Sequence, residues 1–128
     1  MENWEFIIIT SLVSGLIGVF VSIIYYRKQE KYQMKLKTLL DLARYRYDIR
    51  GTDFTAALNE IFVTFSDSKK VIEALEKFHN DRMTSQQNTE LANKLLANLF
   101  KEMCDELNID SKKLGDLFFL NPFNLKKL

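Results

Sequence analysis

Two kinds of apolar pattern run along this chain: one unbroken stretch near the start, then single apolar residues returning every three or four positions. From Phe6 to Tyr26 there is no Asp, Glu, Lys, Arg, His, Asn, Gln or Pro. At about 1.5 Å of rise per residue, a helix of this length just crosses a hydrocarbon layer of roughly 30 Å. Lipid offers no hydrogen bonds, so each amide must be satisfied within the segment. A helix is therefore dictated despite β-branched Ile7, Ile8, Ile9, Val19, Val21, Ile23 and Ile24. A cleaved secretory signal is the competing reading, but it wants a basic start and a small-residue cleavage site. Here Glu2 and Glu5 precede the run, and Tyr25, Tyr26, Arg27 and Lys28 close it.

Beyond the run the spacing is helical. Tyr32, Leu36, Leu39, Leu40, Ala43 and Tyr47 return at threes and fours, which predicts a stalk helix over about 29–48. Gly51, Thr52 and Asp53 interrupt it, and Thr52 or Asp53 can cap a second helix with the face Phe54, Ala57, Leu58, Ile61, Phe62 and Phe65. Ser66 and Asp67 offer another stop and cap. A third helix follows, with Val71, Ala74, Leu75 and Phe78, running to about Asn80. Asp81 to Asn88 is polar and aperiodic and reads as a loop. A fourth helix carries Leu91, Leu95, Leu96, Leu99, Phe100, Met103 and Leu107, and Asp110 or Ser111 caps a last short turn. The expected fold is all-α: an N-terminal transmembrane helix (residues 1–28, span about 6–26) continuing into an antiparallel bundle of about four helices (29–128). The apolar end, Leu117 to Leu120 with Phe123 and Leu125, is expected to pack back onto that bundle.

Charge adds direction. All 18 Lys and Arg residues follow the span, and Arg27, Lys28, Lys31, Lys35 and Lys37 crowd its C-terminal edge. The positive-inside rule then puts the C-terminal domain in the cytoplasm and the N-terminus outside an inner membrane. The same five side chains are candidate contacts for anionic lipid. Within the span, Ser11, Ser14, Gly15, Gly18 and Ser22 give one helical face little bulk, a candidate surface for self-association. The rest of the chain holds all but Glu2 and Glu5 of the 17 acids, so it is too nearly neutral to suggest nucleic-acid binding by charge.

Candidate chemistry is sparse. The single histidine, His79, and single cysteine, Cys104, could form a nucleophilic pair, yet Cys104 keeps company with Phe100, Met103 and Leu107, as a core cysteine does. Asp105, Glu106 and Asp110 with His79 lack the spacing of a calcium loop or a di-iron bundle. No phosphate loop, nucleophile elbow or Cys-x-x-Cys pair occurs. No catalytic residue, cofactor or metal ligand is assigned, and no enzyme is expected. Arg44 to Arg50 interleaves arginines with Tyr45 and Tyr47, as single-strand nucleic-acid grooves do, but on a helix these side chains fan apart. Asn59 beside the apolar face of the second helix is a candidate for a hydrogen bond between helices.

Leu39 to Arg44, then Ala57, Leu58 and Asn59 with Ile61 and Phe65, Val71 with Ala74, and Leu95, Leu96, Leu99 and Met103 before Pro122 together carry a resemblance. Over about residues 36–122 the chain resembles a family of uncharacterised small bacterial proteins with one transmembrane helix and a helical cytoplasmic domain. Leu75 stands where that family is expected to carry tryptophan. The resemblance implies architecture and no site. The function expected is a membrane-tethered, non-enzymatic interaction or signalling module, self-associating in the bilayer and open to a protein partner on its bundle. The alternative is a membrane-perturbing effector of an anti-phage or toxin-type system.

Overall fold

The computed structural model describes residues 2–84 and 89–123, with the side chains from Asn3 onward. Five helices account for the architecture: α1 (Glu2–Arg44), α2 (Thr52–Thr64), α3 (Lys69–Met83), α4 (Thr89–Glu106) and α5 (Asp116–Leu120). No strand occurs among the described residues, and the fold is all-α. Two compact units divide the chain, Met1–Gln33 and Met34–Leu128.

The first unit is helix alone. Its apolar side chains find no partner within the protein, and Phe6, Leu16 and Phe20 are about as exposed as side chains on an isolated helix can be. Water would make that arrangement costly, whereas lipid makes it neutral. This helix is long and apolar enough to cross a membrane and lies at the N-terminus. Its few hydroxyls fold back on the backbone, Thr10 Oγ1 donating to Phe6 O at 2.7 Å and Ser11 Oγ to Ile7 O at 2.8 Å. Such back-bonding lets a hydroxyl enter an apolar medium without an unsatisfied donor.

The second unit owes its cohesion to one core. Phe54, Ala57 and Ile61 of α2, Val71, Ala74 and Phe78 of α3, and Leu96, Leu99, Phe100 and Met103 of α4 close around Leu39 and Leu42 from the end of α1. Each large side chain taken fully from water, such as Phe54, Phe65 or Phe100, contributes about 1.5–3 kcal/mol. Helix α3 packs most extensively on α4, with α4 also against α5 and α2 against α3.

Several faces are turned from their expected direction. On α1 the buried positions are Lys35, Thr38, Leu39 and Leu42, while Leu40, and Tyr47 beyond the helix end, are exposed. Phe62 of α2 and Leu91 of α4 also point to solvent. Helical periodicity fixes an apolar stripe only to within about one residue, or 100° of rotation, and the neighbours choose among the apolar residues available.

Ends differ too. Helix α1 stops at Arg44, where Tyr45 to Tyr47 form turns, instead of reaching 48. Gly51 takes the N-cap place of α2 in extended backbone, so Thr52 and Asp53 fall inside the first turn. Buried Ser68, not Ser66 or Asp67, occupies the N-cap of α3. That helix continues through Met83, so Asp81 to Met83 are helical and not loop; residues 85–88 of the expected loop lie outside the described residues. Asp110 does cap a short turn, its Oδ1 accepting from Lys112 N–H at 3.2 Å with Leu114 N–H donating to Ser111 O at 3.0 Å, and the separate short helix α5 begins after Gly115. The apolar end packs back through Phe119, whose ring stacks on Phe100 at 5.8 Å, with Leu120 half-buried. Leu117 and Phe123 remain exposed, and Leu125 lies outside the described residues.

Candidate functional site

On the first unit, Ser11, Ser14, Gly15, Gly18 and Ser22 share one exposed face of α1. A Cβ added at Gly15 or Gly18 would meet nothing within 4 Å, so a partner's backbone can approach closely there. Shallow depressions follow this face, one along Gly15, Gly18, Val19 and Ser22 and another along Phe6, Ile7, Ser11 and Ser14. Arg27, Lys28, Lys31 and Lys37 are exposed.

Lys35 is the exception, and the structure removes it from the candidate lipid contacts. Its side chain is buried, with Nζ 2.9 Å from Asp67 Oδ1 and 2.9 Å from Glu106 Oε1, and it lies 5.8 Å above the Phe65 ring. Burial opposes the ammonium charge, but the hydrogen bonds to Asp67 and Glu106 and their negative charges prevail, holding its pKa above the ordinary value of 10.5. Lys35 therefore clasps the end of α1 to the α2–α3 turn and to the last turn of α4. A lysine inside a basic sequence cluster carries no local sign that its partners lie 32 and 71 residues away.

Cys104 and His79 are not brought into a catalytic couple. Cys104 is buried in the core face of α4, and burial, with Asp105 beside it, pushes its thiol up, away from the reactive thiolate. His79 is exposed on α3. Among the described residues no three His, Cys, Asp or Glu side chains gather as a metal site, and Glu106 is engaged by Lys35.

The arginine and tyrosine run splits. Arg44 meets Asp41 at 3.9 Å, whereas Arg46 is half-buried with its guanidinium carbon 5.4 Å above the Phe118 ring. Tyr45 packs on the core and only Tyr47 faces solvent fully, so no continuous stacking surface forms.

What sequence reasoning missed is a groove of 570 Å³ between α2 and α3. Leu58, Phe62, Ile72 and Leu75 form its walls and Phe78 joins the lining from the core. Thr55, Asn59, Glu76, His79 and Arg82 supply its polar edge. Asn59 is thus an exposed groove residue. A signal was present: α2 carries more large apolar residues than one face can hold, with Phe54, Ala57 and Ile61 turned inward and Leu58 and Phe62 left over.

Comparison with curated proteins and with solved structures returned no match. A family model matches residues 1–115, taking in the apolar N-terminal helix as well as the bundle and stopping short of α5. The match begins well before residue 36, where the resemblance read from the bundle motifs starts, and the chain belongs to a family of unknown function, DUF6680.

Proposed function

We propose that this protein is a membrane-tethered, non-enzymatic interaction module that self-associates through its N-terminal helix and receives a partner or signal on its bundle. The observation that carries this reading is α1 itself. One helix presents an apolar, unpartnered surface over its first unit and then supplies core residues Leu39 and Leu42 to the second. A chain built this way gains location from one end and a folded surface from the other.

The proposed orientation places the bundle on the cytoplasmic side of an inner membrane. It rests on the absence of Lys and Arg before Arg27 and on the exposed cluster Arg27, Lys28, Lys31 and Lys37, which suits anionic head groups. Self-association is supported by the open face at Gly15 and Gly18, where helices pack by close backbone approach.

Cysteines placed singly at Ser14, Gly18 and Ser22 in a Cys104→Ser background test this in native membranes. Oxidative cross-linking should be strong at these positions and weak at Leu16 and Phe20. Gly18→Leu should reduce the cross-link at Ser14 several-fold by holding the backbones apart. Equal cross-linking all round the helix would refute the packing face.

A further inference from the structure

We infer that the exposed stalk of α1, along Tyr25, Gln29, Tyr32 and Leu36, pairs in parallel and in register with the same stretch of a second copy of this chain, as a short coiled coil beyond the apolar span. The inference deepens the self-association reading and rests on it for one thing: copies anchored by the same span stand side by side and point the same way.

Lipid accounts for the lack of charge only as far as Tyr26. From Arg27 onward the helix is heavily charged, yet one line along it is not. Gly15, Gly18 and Ser22 lead to Tyr25, Gln29, Tyr32 and Leu36 by intervals that alternate strictly between three and four. Arg27, Lys28, Glu30, Lys31, Lys35 and Lys37 all fall between the positions of that line, on other sides of the helix. A solitary stalk in water has no need of such a line, and Tyr25, Gln29 and Tyr32 are all exposed. The bundle core does not explain it either, since the core takes Lys35, Thr38, Leu39 and Leu42 and covers Leu36 only in part. Leu40 is exposed about 200° of helix rotation from Thr38 and from Leu42, so the bundle leaves a side of α1 open.

The spacing and the chemistry of the line select its occupant. Alternation of three and four is the heptad repeat, by which two copies of one helix stay in contact as they wind round each other. A two-fold axis between parallel copies brings each residue of the line against itself. Every group on it must therefore tolerate its own kind, and these do. Two leucines pack, two tyrosine rings pack with their hydroxyls at hand, and two glutamine amides can each donate and accept. Like charges in the same place would repel, and none is there. Gln29 Nε2 donates to Tyr25 Oη at 3.1 Å, which leaves its carbonyl oxygen and its second N–H for the partner's amide. One polar residue in an otherwise apolar seam is a device that fixes register. A lipid surface would select basic groups on this line, and an unrelated protein would have no reason to exclude every charge from it.

The test uses the full chain in native membranes in a Cys104→Ser background, with single cysteines at Tyr25, Gln29 or Tyr32 on the line and at Glu30 or Lys31 off it. On brief oxidation the three positions on the line should cross-link several-fold more than the two off it, and the product should have twice the mass of the chain. Gln29→Glu sets two carboxylates against each other and should lower the Tyr32 cross-link several-fold, whereas uncharged Gln29→Met should leave it standing. Strong cross-linking at Gly18 with none, or with equal cross-linking all round, between Tyr25 and Tyr32 would overturn the coiled coil and spare the packing face of the anchor. Weak cross-linking at Gly18 beside a strong, one-sided pattern on the stalk would remove the anchor face and uphold the coiled coil. Indifference to Gln29→Glu, or capture of a different protein by the cysteines on the line, would also overturn the inference.

Discussion

Lys35 sits where three elements meet, and its energetics follow from how much water its partners keep. The lysine is buried while Asp67 and Glu106 are 48% and 32% exposed. Lys35→Met keeps the length of the side chain and removes the charge, leaving two carboxylates that water can still reach. A hydrogen bond to a charged group is worth about 1.5–3 kcal/mol, and the partners' exposure puts the expected loss at the lower end. Urea unfolding of the bundle, followed by circular dichroism in nanodiscs, measures it; an unchanged midpoint would show the clasp to be inert. The proton linkage has a definite sign. Because folding raises the Lys35 pKa above 10.5, its contribution is fully present below the unfolded value and is lost as pH climbs through the folded one. The native protein should thus lose stability above about pH 10.5, and Lys35→Met should flatten that alkaline limb. Cys104 gives a second residue-scale outcome. With its thiol buried and its pKa raised, maleimide at pH 7.5 should label it slowly in the folded protein and rapidly in denaturant. Equal rates would contradict the packing described here.

At the scale of elements, the end of α4 shows how backbone geometry selects a residue. Asn108 has φ 57°, Asn108 N–H donates to Asp105 O at 3.1 Å and Ile109 N–H to Cys104 O at 2.8 Å. This pair of bonds is a Schellman closure, which satisfies carbonyls the helix leaves open and requires a left-handed residue. Asparagine tolerates that conformation and a β-branched residue does not. Asn108→Val should cost about 1–2 kcal/mol, while Asn108→Gly should be neutral or stabilising. The urea midpoints of the two variants, taken together, separate backbone strain from loss of the amide side chain. Helix α2 shows a different economy. Its inward residues secure the core, and its surplus Leu58 and Phe62 create a groove with α3 that the bundle itself does not fill.

For the molecule as a whole, the two units differ in where their apolar surface goes. None of the residues in the first unit's apolar stretch is buried, and the second unit is organised around Leu99, Phe100 and Met103 with their neighbours. Leu99→Ala, at a site with 0% exposure, should destabilise the bundle by about 2–5 kcal/mol. The same variant should stay in the membrane fraction after alkaline carbonate extraction, because the proposed anchor would draw its stability from lipid and not from the bundle. Loss of membrane association in that variant would show that the two units hold each other in place.

Much of the architecture was written into the sequence, because periodicity and the lack of charge are local properties. The uncharged run from Phe6 and the returns of Phe54, Ala57 and Ile61, then of Val71 and Ala74, determined helices and their approximate limits. They also marked the small-residue face, since Ser11, Gly15, Gly18 and Ser22 need only helical geometry to align. Tertiary structure decided whatever depended on distant partners. It took Lys35 out of a basic cluster and gave it to Asp67 and Glu106, and it buried Leu42 beside the expected Leu39 while leaving Leu40 exposed. It also left Phe62, which the spacing alone had assigned to the interior, outside the core as part of a groove wall. A helix specifies which residues share a face, but the free energy of burial is set by what packs against that face, and this is settled only when the whole bundle closes.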